Sequence, residues 1–118
     1  MVNRAKQRGT SFETAVVNYC RDHGFPYARR LALAGGADTG DITLGDEPAG
    51  GPVTIEAKDH AKLDLAGFVD EAITEAANAG TPLGVAVVKR RGKNVSQAYV
   101  VTTLEAWLRD RQRGNEHG

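Results

Sequence analysis

Leu83 to Lys89 is a nearly continuous apolar run, rich in valine. A run this short is too brief for a membrane span, and its composition is that of a strand covered on both faces. Such a strand lies centrally in a sheet, so the rest of the chain must supply its neighbours and its covers. Val53-Thr54-Ile55-Glu56-Ala57-Lys58 alternates sides and reads as a second strand. Asp41-Ile42-Thr43-Leu44 is a shorter one. Between these two, Gly45 to Pro52 holds three glycines and two prolines, the composition of a turn. Phe25 to Leu33 reads as extended, with Pro26 at an edge or a strand start. Ala34 to Gly40 is a loop. Arg90 to Asn94 is a basic turn before a last strand, Val95 to Val101.

The covers are helices. Phe12, Val16, Tyr19, Cys20 and His23 recur at helical spacing. Thr10 with Glu13 three residues on fits a capping box, and Gly24 stops the helix. Leu65, Val69, Ala72, Ile73 and Ala76 form a second stripe, ended by Gly80-Thr81-Pro82. Its small residues Ala66, Ala72, Ala76 and Ala77 are expected to pack on the sheet, with a partner subunit as the alternative. Leu104 to Arg111 is a short final helix, capped by Thr102 or Thr103, with Trp107 and Leu108 docking on the core. The predicted order α-β-β-β-α-β-β-α describes an α/β domain with a mixed sheet of about five strands flanked by helices. One domain spans residues 1–118, with 1–8 a basic arm and 114–118 a frayed tail.

At 118 residues and 41% hydrophobic, the chain has material for one core. Met1 to Arg8 is basic but precedes no apolar stretch, which argues against a secretory signal. A single cysteine, Cys20, forms no internal disulfide, so a reducing, cytoplasmic setting is the expectation, the host cytoplasm if a phage encodes the chain. Formal net charge is zero, but the charges are sorted. Basic groups gather at Arg4, Lys6 and Arg8, at Arg29 and Arg30, at Lys89 to Lys93, and at Arg109 to Arg113. Acids gather at Asp38 to Glu47 and at Asp64 to Glu75.

Three polar residues interrupt this pattern. Asp41 opens a strand directly after a loop, and Glu56 and Lys58 lie two apart on the next strand. Residues two apart on a strand share a face, and a hairpin brings Asp41 beside Glu56. Phosphodiester hydrolysis needs such a set: oxygen ligands for Mg²⁺ and a cation beside the attacking water. Asp41, Glu56 and the carbonyl of Ala57 are the expected metal ligands, with Lys58 over the nucleophile. Glu13 falls at the margin of the first helix's apolar stripe. It is either a fourth member of this site or the capping-box glutamate.

Gly40-Asp41-Ile42, the glycine-rich turn and Ile55-Glu56-Ala57-Lys58 resemble the D…(D/E)-x-K signature of the PD-(D/E)XK nuclease superfamily. Arg8-Gly9-Thr10-Ser11-Phe12-Glu13, His23-Gly24-Phe25 and Arg29-Arg30 are similar to the archaeal-type Holliday junction resolvases. The resemblance covers residues 6 to about 90. It implies a homodimer that cuts opposed strands of a four-way DNA junction with Mg²⁺, for which Mn²⁺ substitutes. It also implies that Glu13 joins the metal site. Gly40 stands where the namesake proline would, and the serine often found in the resolvase loop is not evident. Candidate DNA-backbone contacts are Arg8, Arg29, Arg30, His60, Lys62, Lys89, Arg90, Arg91 and Lys93.

Two rivals are weaker. Asp38-Thr39-Gly40 matches the core of homodimeric aspartic proteases, but those are almost wholly β and need apolar residues before the aspartate. A non-catalytic DNA-binding module would not need Asp41, Glu56 and Lys58 together, because acids beside a phosphate repel it. A flap, a nick or a plain duplex remains an alternative nuclease substrate. His23 and Cys20 read as core or boundary residues. Tyr27, Tyr99 and Trp107 read as packing residues.

Overall fold

A computed structural model of the chain describes residues 4–32 and 38–117, without the side chains of residues 4–6, 8 and 115–117. In chain order the elements are α1 (Arg4–Asp22), β1 (Arg29–Arg30), β2 (Ile42–Thr43) and β3 (Thr54–Lys58). Then follow α2 (Leu65–Ala79), β4 (Gly84–Val88), a 3₁₀ turn (Val95–Gln97), β5 (Tyr99–Val101) and α3 (Leu104–His117). The strands form one sheet in the order β1-β2-β3-β4-β5. β3 and β4 run parallel, joined through α2, and the other pairs are antiparallel. This is the α/β mixed sheet with flanking helices that the sequence predicts. With three helices in the fold, the aspartic-protease reading falls.

The period of two in the strands sorts the core into two sides. Ile42, Ile55, Val85 and Val87 face α1 and pack on Phe12, Val16 and Val17. Ala86 and Val88 face α2 and pack on Phe68, Val69 and Ala72. Thr54, Glu56 and Lys58 share that second side, and all three are buried. Of the small residues on α2, Ala72 and Ala76 are buried, while Ala66 and Ala77 are exposed. At the other end of the helix, Asp64 caps by accepting from the Gly67 N–H. Among the described residues no helix is long and apolar enough to cross a membrane.

Several elements differ from the expectation. α1 starts at Arg4, so residues 4–8 continue the helix. Thr10 therefore lies inside it, where its carbonyl accepts from the Thr14 hydroxyl at 3.0 Å, and no capping box forms. Phe25 to Ala28 folds as a turn, closed by Ala28 N–H to the Phe25 carbonyl, which leaves β1 only two residues. Asn94 caps the 3₁₀ turn through the Ser96 N–H, and this takes the first half of the predicted last strand. α3 runs on through Gly114 to His117, where a shorter helix and a frayed tail were expected. It turns Ala106, Asp110 and Arg113 inward, and Arg113 donates to Asp110 at 2.8 Å and to the Gly50 carbonyl at 2.6 Å. Trp107 and Leu108 consequently face outward, 51% and 46% exposed, and do not dock on the core. Tyr27 and Tyr99 are exposed as well. His23 is exposed too, stacked on Tyr19 past the end of α1, while Cys20 packs at the core margin as expected.

Candidate active site

Asp41 is fixed by the sheet although it precedes β2. Its N–H donates to the Ile55 carbonyl at 2.9 Å, and its carbonyl accepts from Leu31 N–H at 2.8 Å. These bonds aim its side chain at β3, where Oδ2 accepts from the Ala57 N–H at 2.9 Å. The residue before it has to be glycine. Gly40 has φ +97°, and a Cβ there would press on Thr54 Cγ2 at 2.6 Å. Proline is locked near φ −65° and cannot take this conformation, which is a physical reason for glycine at the proline position.

β3 carries the other two residues one turn of the pleat apart. Lys58 Nζ lies 3.4 Å from Glu56 Oε1 and 2.5 Å from Glu71 Oε2. It also sits 5.4 Å from the centre of the Phe68 ring. Asp41, Glu56 and Lys58 thus meet at the carboxyl ends of the parallel strands β3 and β4, where open α/β sheets commonly bind ligands. Glu13 borders the site from α1. Its Oε2 accepts from Arg30 Nε at 2.9 Å, and its charge is one of the influences that raise the Asp41 carboxyl.

The electrostatics are unbalanced toward acid. Burial, then the neighbouring Glu56, push the Asp41 carboxyl up to about 7, against the Ala57 N–H that lowers it. Burial, then Glu75, push Glu56 up to about 8, with Lys58 opposing. Burial, then Asp38, push Glu75 up to about 7, although Glu56 works the other way there. For Lys58, burial favours the neutral amine, but Glu71 and Glu56 outweigh it and raise the pKa.

Glu71 and Glu75 are the members that sequence reasoning left among a solvated acidic group. Their signal was spacing: Glu75 stands three residues after Ala72 and seven after Phe68, inside the buried stripe of α2. Glu75 is 2% exposed. Neither of its oxygens, nor Oε2 of Glu56, has a hydrogen-bond partner among the described residues. Buried carboxylates without partners cost several kcal/mol, roughly, unless a cation or proton neutralises them. This donor set, all oxygen and short of positive charge, fits a hard divalent cation.

The chain matches no family model, no curated protein and no solved structure.

The basic candidates divide. Arg30 is paired with Glu13, Arg29 with Asp46 at 3.1 Å, and Lys89 with Asp59 at 3.7 Å. Arg90 lies over the Tyr99 ring at 4.9 Å. Lys62, Arg91 and Lys93 are exposed. His60 is exposed, with its ring 5.0 Å from that of Phe68. The side chain of Arg8 lies outside the described residues. Lys89, Arg90 and Lys93 share a small groove with Ser11, Phe12 and Ala15 of α1. Because Lys89 N–H donates to the Lys58 carbonyl, this groove lies toward the same end of the sheet as the acids.

Proposed function

We propose that the chain is a Mg²⁺-dependent endonuclease for branched DNA, a Holliday junction resolvase in substrate class. The observation that carries the metal-dependent hydrolase is the meeting of Asp41, Glu56 and Lys58 at one sheet end, with buried carboxylate oxygens left without partners, while the junction substrate is what the resemblance of residues 6 to about 90 implies. Asp41, Glu56 and the Ala57 carbonyl would hold the metal, with Glu13 closing the site from α1. A Mg²⁺ ion held by these residues would supply Lewis-acid polarisation of the phosphate and a lowered pKa for the attacking water. Lys58 orients that water for in-line attack and offsets charge on the phosphoryl oxygens as the 3′ oxygen leaves. Arg29, Arg30 and the Lys89 to Lys93 turn hold the DNA backbone, with Arg8, His60 and Lys62 as further contacts. Binding through such contacts weakens steeply with salt.

Two opposed cuts need two copies. Exposed Tyr99 and Val100 on β5, with Leu104, Trp107 and Leu108 on α3, offer apolar surface for a homodimer.

The test is cleavage of a labelled four-way junction and of a linear duplex of matching sequence, each with Mg²⁺, Mn²⁺ or EDTA. Paired, metal-dependent cuts in the junction alone are expected. Cutting of both substrates would keep the nuclease and remove the junction selectivity. Binding without cutting of either would overturn the catalytic reading.

A further inference from the structure

We infer that α2 builds a second divalent-cation site from Glu56, Glu71 and Glu75, beside the one assigned to Asp41 and Glu56. Each of the three offers a carboxylate oxygen, and these oxygens lie within 4.8 Å of one another. Opposed ligands of Mg²⁺ stand about 4.2 Å apart, and those of Ca²⁺ about 5 Å. The cluster is thus already at cation spacing and needs less than about 1 Å of closure for the smaller ion.

Acidic clusters are common without an ion, and the independent observation here is Glu75. It is 2% exposed, and neither of its oxygens has a hydrogen-bond donor among the described residues; the groups that act on it include the carboxyls of Glu56 and Asp38. A glutamate kept for packing would be replaced at little cost by a glutamine or an apolar residue, since the surrounding stripe of α2 is Phe68, Val69, Ala72 and Ala76. Glu71, one helical turn earlier, reaches the same point from the solvent side and gives the ion an entry path. Lys58 is the group that now occupies Glu71. An ion that takes the Glu71 oxygen displaces Lys58 Nζ from it, so filling this site frees the lysine assigned to the attacking water. Glu71 is then a positioning residue, and its use in turnover rests on the endonuclease reading, whereas ion binding by the cluster does not.

The experiment counts Mn²⁺ bound per chain, by electron paramagnetic resonance of the free ion and by calorimetry, with no DNA present. Wild type should bind two ions. Glu75→Gln and Asp41→Asn should each bind one. Glu71→Gln, whose side chain is half exposed and not needed by the core, should bind the second ion at least about ten-fold more weakly. Retention of two ions at wild-type affinity in both Glu75→Gln and Glu71→Gln, each with its melting transition intact, would overturn the site. So would a wild-type count of one that only Asp41→Asn removes. Cleavage assayed on the same samples separates the two readings. A second ion lost in both glutamine variants of a chain that cuts no DNA keeps this site and removes the endonuclease. An active chain whose count ignores Glu75 and Glu71 does the reverse.

Discussion

The two faces of β3 meet opposite surroundings. Ile55 points to α1 and into an apolar layer with Phe12, Val16, Val85 and Val87. Glu56, its neighbour in the chain, points to α2, where Lys58, Glu71 and Glu75 gather beside the apolar cluster of Phe68, Val69 and Ala72. The α1 face even leaves apolar space, a cavity of ≈ 400 Å³ lined by Val16, Cys20, Ile55 and Val85 among others. The α2 face leaves charge instead: buried oxygens with nothing to bond. One side stabilises the fold by burial. The other buries carboxylates at a cost to stability, as the proposed site requires, and residues one position apart in sequence separate the two.

Breaking the polar face should have the largest effect. Glu56→Gln is expected to lower metal-dependent cleavage by about a thousand-fold or more, roughly 4 kcal/mol of transition-state stabilisation, while melting is retained or raised. Gel assays with thermal unfolding of the same samples check this. Ile55→Ala should do the opposite, losing about 2–5 kcal/mol of stability by denaturant titration with cleavage kept at low temperature.

The contact that holds α2 to the sheet can be broken separately. A Cβ on Gly84 would meet the Ala72 carbonyl and, at 2.8 Å, the Ala76 Cβ. Gly84→Ala should therefore push α2 outward, costing about 1–3 kcal/mol of stability. It should also weaken Mn²⁺ binding at Glu71 and Glu75, while Asp41 keeps its ion.

Changing the pH sharpens the contrast more gently. The carboxyls of Asp41, Glu56 and Glu75 are raised to about 7, about 8 and about 7. The folded chain then holds protons that the unfolded chain releases above about pH 4–5. Their contribution to stability is fully present below that range and is lost as pH rises through about 7 to 8. In EDTA, melting temperature should fall across this window. Mg²⁺ should reverse the fall at its upper end, because the ion competes with the protons for the same oxygens. The smallest effect is expected from filling the apolar cavity. Ala98→Val, at its lining, should add about 0.5–1 kcal/mol and leave cleavage unchanged.

The sequence made one of the two faces legible. Asp41, Glu56 and Lys58 could be placed together from a period of two and a hairpin, and the helices and sheet order followed from apolar spacing. Glu71 and Glu75 were hidden because charged helix positions usually face water, and only their phase against Phe68 and Ala72 marks them as inward. The Thr10 and Glu13 pattern pointed to a helix start, yet the helix continues back to Arg4, and Glu13 bonds Arg30 across the site instead. Trp107 misled in the other direction. Large aromatics usually seek a core, but the bond from Arg113 to the Gly50 carbonyl fixes α3 with its apolar stripe outward. The Glu13 and Trp107 misses turned on tertiary contacts, Glu13 with Arg30 and Arg113 with the Gly50 carbonyl, which local pattern does not contain.

The most direct measurement places the two neighbours side by side. Wild type, Ile55→Ala and Glu56→Gln would be incubated with a labelled four-way junction and Mg²⁺ at a temperature where all three are folded. The account predicts symmetric cuts by wild type and Ile55→Ala, and none by Glu56→Gln. Cutting by Glu56→Gln at the wild-type rate would contradict it.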